Sequence, residues 1–192
     1  YARAVADGGL LALLATLGLA RLSHEATPAL AQLTFSTLLF FALANLARKR
    51  LLALISAAMG ILGLALSAAP ALALTLGVGG ALLMSLDSQK PSAQRVRRVD
   101  VAWVLLICLA SAAVVSALDL WRWRLDYPQF TEVKSMTRLF LWFLWPAWPL
   151  AIWTLWRWRY QLKNAAANPH LFLPLWFVTV VIFTTCLSES GD

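Results

Sequence analysis

The chain has 192 residues, 61 % hydrophobic and 13 % charged, with a formal net charge of +7 and a mean hydropathy of +0.73. Soluble domains carry about 25 % charged and about 45–50 % apolar residues. The composition therefore excludes an ordinary globular domain, a disordered tail and a disulfide-stapled secreted module.

A helix that crosses the hydrocarbon core of a bilayer needs about 20 mostly apolar residues. Seven runs are candidates: residues 5–21, 29–47, 51–67, 71–86, 101–118, 138–157 and 171–187. In lipid the backbone N–H and C=O groups must be satisfied within the segment, so each run is expected as a helix. The expected fold is all-α, a polytopic transmembrane bundle of about seven spans forming one domain over residues 1–192. Tyr1 opens the sequence with no initiator Met and no charged leader, and Ser188-Glu189-Ser190-Gly191-Asp192 follows an apolar run directly. The chain reads as a piece of a longer polypeptide, truncated at both ends, with no signal peptide to set aside.

In chain order, Asp7 stands near the start of the first run, where a carboxylate meets the positive end of a helix dipole. His24-Glu25 follows in a short connection and fits a hydrated turn better than an acid–base pair. Ser67-Ala68-Ala69-Pro70 separates the third and fourth runs. Proline suits the first turn of a new helix and disfavours helical geometry just before it, so a tight helical hairpin is expected. Gly60 and Gly63, and Gly77-Val78-Gly79-Gly80, are small residues that let helix backbones approach closely; packing is the expected role, a cavity lining the alternative.

The basic connection 87–100 contains Lys90, Pro91, Arg95, Arg97 and Arg98. It divides an Ala/Leu/Gly-rich group of four runs (1–86) from a bulkier group of three (101–192). Eight of the ten tryptophans fall between Trp121 and Trp158, as in an anchoring belt at the headgroup level. Trp145-Pro146-Ala147-Trp148-Pro149 is expected to kink or end its helix. The two cysteines, Cys108 and Cys186, sit inside apolar runs and read as buried thiols.

Seven crossings place Arg3, Arg48, Lys49, Arg50, Lys90, Arg95, Arg97, Arg98, Arg157, Arg159 and Lys163 on one side, and Arg21, Arg122, Arg124, Lys134 and Arg138 on the other. Cytoplasmic connections hold the Lys/Arg excess. The N-terminal end is therefore expected in the cytoplasm and the C-terminal end outside, as in a bacterial inner membrane. Orientation and anionic lipid account for the basic residues, so nucleic acid is not an expected partner.

The segment 119–138 is then the one substantial outward connection. Its Arg122, Arg124, Lys134 and Arg138 suit the phosphate of a lipid headgroup, since Arg offers a forked donor to phosphate oxygens; a solvated juxtamembrane loop has the same composition. No run carries an ionised residue near its middle, where ion-coupled transporters keep them. No phosphate loop, metal-ligand cluster or Ser/His/Asp arrangement is present, so no catalytic residue and no cofactor are assigned within these residues.

Four stretches carry a family likeness. Arg3 and Ala6-Asp7-Gly8-Gly9-Leu10 match an Arg followed by (Thr/Ala)-Asp-x-x-Leu at the opening of a helix. Gly60 to Pro70 is similar to a Gly- and Ala-bearing stretch ending in Lys-Gly-Pro, with Ala68-Ala69 in place of the Lys-Gly. Phe143-Leu144-Trp145-Pro146-Ala147-Trp148 looks like a helix carrying a Pro-Trp pair, and Pro174-Leu175-Trp176-Phe177 through Phe183 to Ser188 like a Trp-bearing helix ending in Phe-Phe-Ser. In this order they resemble the polytopic lipid-dependent glycosyltransferases, the protein mannosyltransferase-like and aminoarabinose transferase-like enzymes of the GT-C type. The Lys-Arg that follows the last helix in that family is absent here.

The resemblance implies transfer of a sugar from a polyprenyl-phosphate donor to a lipid, glycan or protein acceptor at the outer face. A carboxylate acts as general base, and cationic groups or a divalent metal stabilise the departing phosphate. The family's catalytic carboxylate falls ahead of the position matching Tyr1, so this chain is expected to be a central portion in which Asp7 shapes the site. The rival reading is a non-enzymatic polytopic protein: a scaffold subunit, or part of a transporter or flippase.

Overall fold

The computed structural model of the chain describes residues 28–87, 98–121, 138, 147–157, 159 and 169–187. Among these residues there are six helices: α1 (Pro28–Asn45), α2 (Arg50–Leu66), α3 (Pro70–Asp87), α4 (Arg98–Ala117), α5 (Ala147–Arg157) and α6 (Pro169–Leu187). The described residues form no strand, and the fold is all-α. The expected run at 5–21 lies outside them.

Helix boundaries follow local chemistry. Pro28, Pro70 and Pro169 each open a helix, where a missing N–H costs nothing and the fixed φ is already helical. Between α2 and α3 the backbone turns within three residues. Ala68 takes a left-handed φ of 64°, and the Ala69 N–H donates to the Leu64 carbonyl at 3.2 Å, the six-to-one bond of a Schellman cap. The end of α4 repeats the device. Asp119 has φ 51°, and the Leu120 N–H donates to the Val115 carbonyl at 3.0 Å. The hairpin expected at 67–70 is present; α4 begins at Arg98, three residues ahead of the expected run, so Asp100 is helical.

One buried cluster runs through five helices and crosses the boundary between the two sequence groups. It takes Leu39, Ala42 and Leu43 from α1, Leu46 from the turn after it, and Ala53, Ala57, Ile61 and Leu64 from α2. Ala73, Leu76 and Ala81 come from α3, Val104, Cys108 and Val115 from α4, and Leu173, Phe177 and Val180 from α6. On α2 and α6 these residues recur at intervals of three or four, one stripe of an α-helix. The most extensive pairing is α1 on α2; α3 packs on α4 and α6, and α2 on α3 and α4.

Glycines set the closest approaches. A Cβ on Gly60 would lie 3.0 Å from both Cβ and N of Leu39, so here α1 and α2 meet almost backbone to backbone. A Cβ on Gly63 would enter the Phe35 ring, and one on Gly79 the Trp176 indole. These glycines are packing sites rather than cavity walls. Phe40 and Phe177 add an edge-to-face pair, centroids 5.3 Å apart, a favoured geometry for aromatic rings.

The opposite faces are apolar and open. Leu51, Ile55, Met59 and Leu66 on α2, Trp103, Leu106 and Leu109 on α4, and Val178, Ile182 and Phe183 on α6 are all exposed. Among the described residues one helix, Arg98–Ala117, is long and apolar enough to cross a membrane; the apolar stretches Leu30–Asn45, Arg50–Leu66, Pro70–Ser85 and Phe172–Thr184 are shorter.

Candidate functional site

The residues expected to receive a donor phosphate fall mostly outside the described part. Arg122, Arg124 and Lys134 lie outside it, as do Asp7 and His24-Glu25. Arg138 is described, as an exposed helical residue. The root of the 119–138 connection is visible at the end of α4. There the Schellman cap turns the chain at Asp119, and the exposed Trp121 indole Nε1 donates to Ser116 Oγ at 3.0 Å. The cap and the indole bond together hold Trp121 against the end of α4.

At the C-terminal side of α5, the Arg159 guanidinium stacks over the Trp156 ring, 4.9 Å from its centroid. This is a cation–π contact, the cation drawn to the face of the ring by its quadrupole. Pro149 sits in the first turn of α5, where no intrahelical bond is lost; the kink expected at Pro146 lies outside the described residues. Cys108 is a buried free thiol, packed over Gly77 as its apolar setting implied, while the side chain of Cys186 lies outside the description.

The ends of the helices sort into two sets. At one end the Gln32 amide, near the start of α1, donates to the Ser67 carbonyl at 2.8 Å, just beyond the end of α2. At the other, Arg50 at the first residue of α2 forms an ion pair with Asp100 in the first turn of α4. α2 and α4 thus start from the same end, and α1 and α3 run the other way. Arg48, Lys49, Arg50 and Arg98 share that end, all exposed, and Trp121 closes the opposite one.

The ion pair is lopsided: the Arg50 side chain is 43 % exposed and that of Asp100 only 4 %. The guanidinium closes on Oδ1 without hydrogen-bond alignment. Asp100 reads from sequence as the tail of a polar connection. Nothing in the sequence signals its burial or links it to Arg50, fifty residues earlier.

The other buried polar atom without a hydrogen bond among the described residues is Trp176 Nε1, on the indole that lies against Gly79. No group of three His, Cys, Asp or Glu among the described residues could hold a metal ion. No family model matches this chain, and neither does any curated protein or solved structure.

Proposed function

We propose that this chain is the membrane-embedded bundle of a polytopic glycosyltransferase that takes its sugar from a polyprenyl-phosphate donor at the outer face of a bacterial inner membrane. The observation that carries the proposal is the sorting of helix ends. Basic residues 48–50 and 98 cluster at one end, and the root of the aromatic and basic 119–138 connection lies at the other. With the Lys/Arg excess inside, this connection faces outward, where polyprenyl-phosphate sugars are used in the enzymes the sequence resembles.

Membrane embedding has independent support. α4 has 20 residues, about 30 Å at 1.5 Å per residue, which matches the hydrocarbon core. The 17 to 19 residues of α1, α2, α3 and α6 give about 26–28 Å, within what local thinning and snorkelling flanks accommodate. Hydroxyls on the open faces turn inward to their own backbone. Thr34 Oγ1 donates to the Leu30 carbonyl at 2.8 Å, Thr37 Oγ1 to Thr34 at 2.8 Å and Thr75 Oγ1 to Ala71 at 2.8 Å. A helix in lipid must satisfy its polar groups in this way.

In this reading Arg122, Arg124, Lys134 and Arg138 receive the donor phosphate, Asp7 shapes the site, and the general base is a carboxylate from a segment preceding Tyr1. The test is donor binding and sugar transfer by membranes holding the full reading frame. Arg122→Ala with Arg124→Ala removes two charge-assisted contacts, each worth about 1.5–3 kcal/mol, and should weaken donor binding by at least about a hundredfold. Unchanged donor affinity overturns the phosphate assignment. Membrane-integrated protein with no transferase activity on any polyprenyl-phosphate sugar favours the scaffold or flippase reading.

A further inference from the structure

We propose that the end of the bundle formed by the starts of α2 and α4 is a binding site for one anionic phospholipid of the inner leaflet, with Arg48, Lys49 and Arg98 holding its phosphate. The inference rests on the membrane-embedded reading above and concerns the face opposite the transfer site.

Three features converge there. The ion pair of Arg50 with buried Asp100 ties the first turns of two parallel helices together, so two basic segments far apart in sequence share one surface. Arg48, Lys49 and Arg98 on that surface are exposed, and Asp100 is already engaged by Arg50. Arg48, Lys49 and Arg98 are therefore not the cations that Asp100 neutralises. No side chain caps the N-terminus of α2 at Lys49, which adds the positive end of a helix dipole to the same place.

The apolar surface decides what kind of anion fits. One residue beyond Arg50 the outer face of α2 becomes Leu51 and Leu52, and beyond Arg98 the outer face of α4 becomes Val99 and Trp103, all exposed. A ligand seated on the basic residues would lay its remaining length along this face. A free phosphate has nothing to place there, whereas a two-chain lipid presents its headgroup and acyl chains in that order. Asp100 acts as a strut: by neutralising Arg50 it holds the two helix starts in register and leaves the other cations for the ligand.

The experiment uses the full-length protein, extracted in a neutral detergent, stripped of lipid and titrated with phosphatidylglycerol or phosphatidylcholine, with bound lipid read by native mass spectrometry. The wild type should bind phosphatidylglycerol in preference to phosphatidylcholine. Each basic residue near an anionic headgroup contributes about fivefold in affinity, so Arg48→Gln/Lys49→Gln/Arg98→Gln should weaken phosphatidylglycerol binding by on the order of a hundredfold. Arg157→Gln/Arg159→Gln, which removes two charges elsewhere, should leave that binding unchanged.

Equal loss in both variants, or no loss in the triple variant, overturns the site. Displacement of the lipid by millimolar inorganic phosphate also overturns it, in favour of a free-anion site. Should the triple variant lose helical circular dichroism, Arg98→Gln alone replaces it, with about fivefold weakening expected and none counting against the proposal. Protein recovered from cells without detergent would refute membrane embedding itself, whereas detergent-extracted protein that binds both lipids equally refutes only the lipid site.

Discussion

At the scale of single residues, Asp100 and Arg50 are unequal partners, and their inequality sets what mutation does. A carboxylate almost removed from water needs its cation, while a half-exposed guanidinium can return to solvent. Arg50→Gln leaves Asp100 buried and unpaired, and should destabilise the protein by about 1–3 kcal/mol, less than for a fully buried pair because Arg50 is partly solvated. Asp100→Asn keeps the shape, removes the charge and should cost about 1 kcal/mol or less. The double variant should resemble Asp100→Asn alone, since nothing charged is then stranded. Thermal unfolding in detergent, arranged as a double-mutant cycle, checks this. Arg50→Gln proving milder than Asp100→Asn would show that the pair is not asymmetric.

At the scale of elements, the helices are held by how closely their backbones approach, and Gly60 is where that approach is tightest. Replacing Gly60 with Val places branched carbon against the Leu39 backbone, which moves only if α1 moves. We expect overpacking to cost about 1–3 kcal/mol, whereas Met59→Val, on the exposed face of the same helix, should cost about 0.5 kcal/mol or less. Equal melting temperatures for the two variants would mean that α1 and α2 are not in backbone contact at Gly60. Much of this layer was legible in the sequence. The described runs became helices with starts and ends within a few residues of those expected, except that of the 138–157 run only Arg138 and α5 are described, because apolar stretches bounded by proline and basic clusters leave little freedom. The role of Gly60 was legible too, since a small residue in an apolar helix has few uses. Ala68 in the left-handed region was not: alanine has no preference for that conformation, and only the three-residue connection demands it. Neither was the Arg50–Asp100 pair, because pairing between distant helix starts is a product of packing and leaves no periodic trace. Of the expected phosphate-binding residues only Arg138 is described, so the sequence reading of that site stands on composition and on the position of its root at Trp121.

At the scale of the whole molecule, the alternation of helix direction makes a single statement about sidedness. Ser67 and Trp121 belong to one surface, and Arg48 and Arg98 to the other. This follows from two observations of different kinds. The hydrogen bond from Gln32 to Ser67 and the ion pair of Arg50 with Asp100 define the ends of the bundle, while the Lys/Arg bias assigns those ends to the two sides of the membrane. The first fixes the grouping and the second, under the proposed membrane reading, its polarity, so they fail separately. Single cysteines placed at Trp121 or Ala68, and at Arg48 or Arg98, in a protein whose Cys108 and Cys186 are changed to Ser, test both. A membrane-impermeant maleimide added to intact spheroplasts should label the first two positions and reach the second two only after permeabilisation. Labelling of Arg48 and Arg98 alone in intact spheroplasts would invert the polarity and remove the outward donor site, while leaving the bundle as described. Labelling of Trp121 together with Arg48 would contradict the grouping of helix ends itself, and no arrangement of these helices across a bilayer would then agree with the structure.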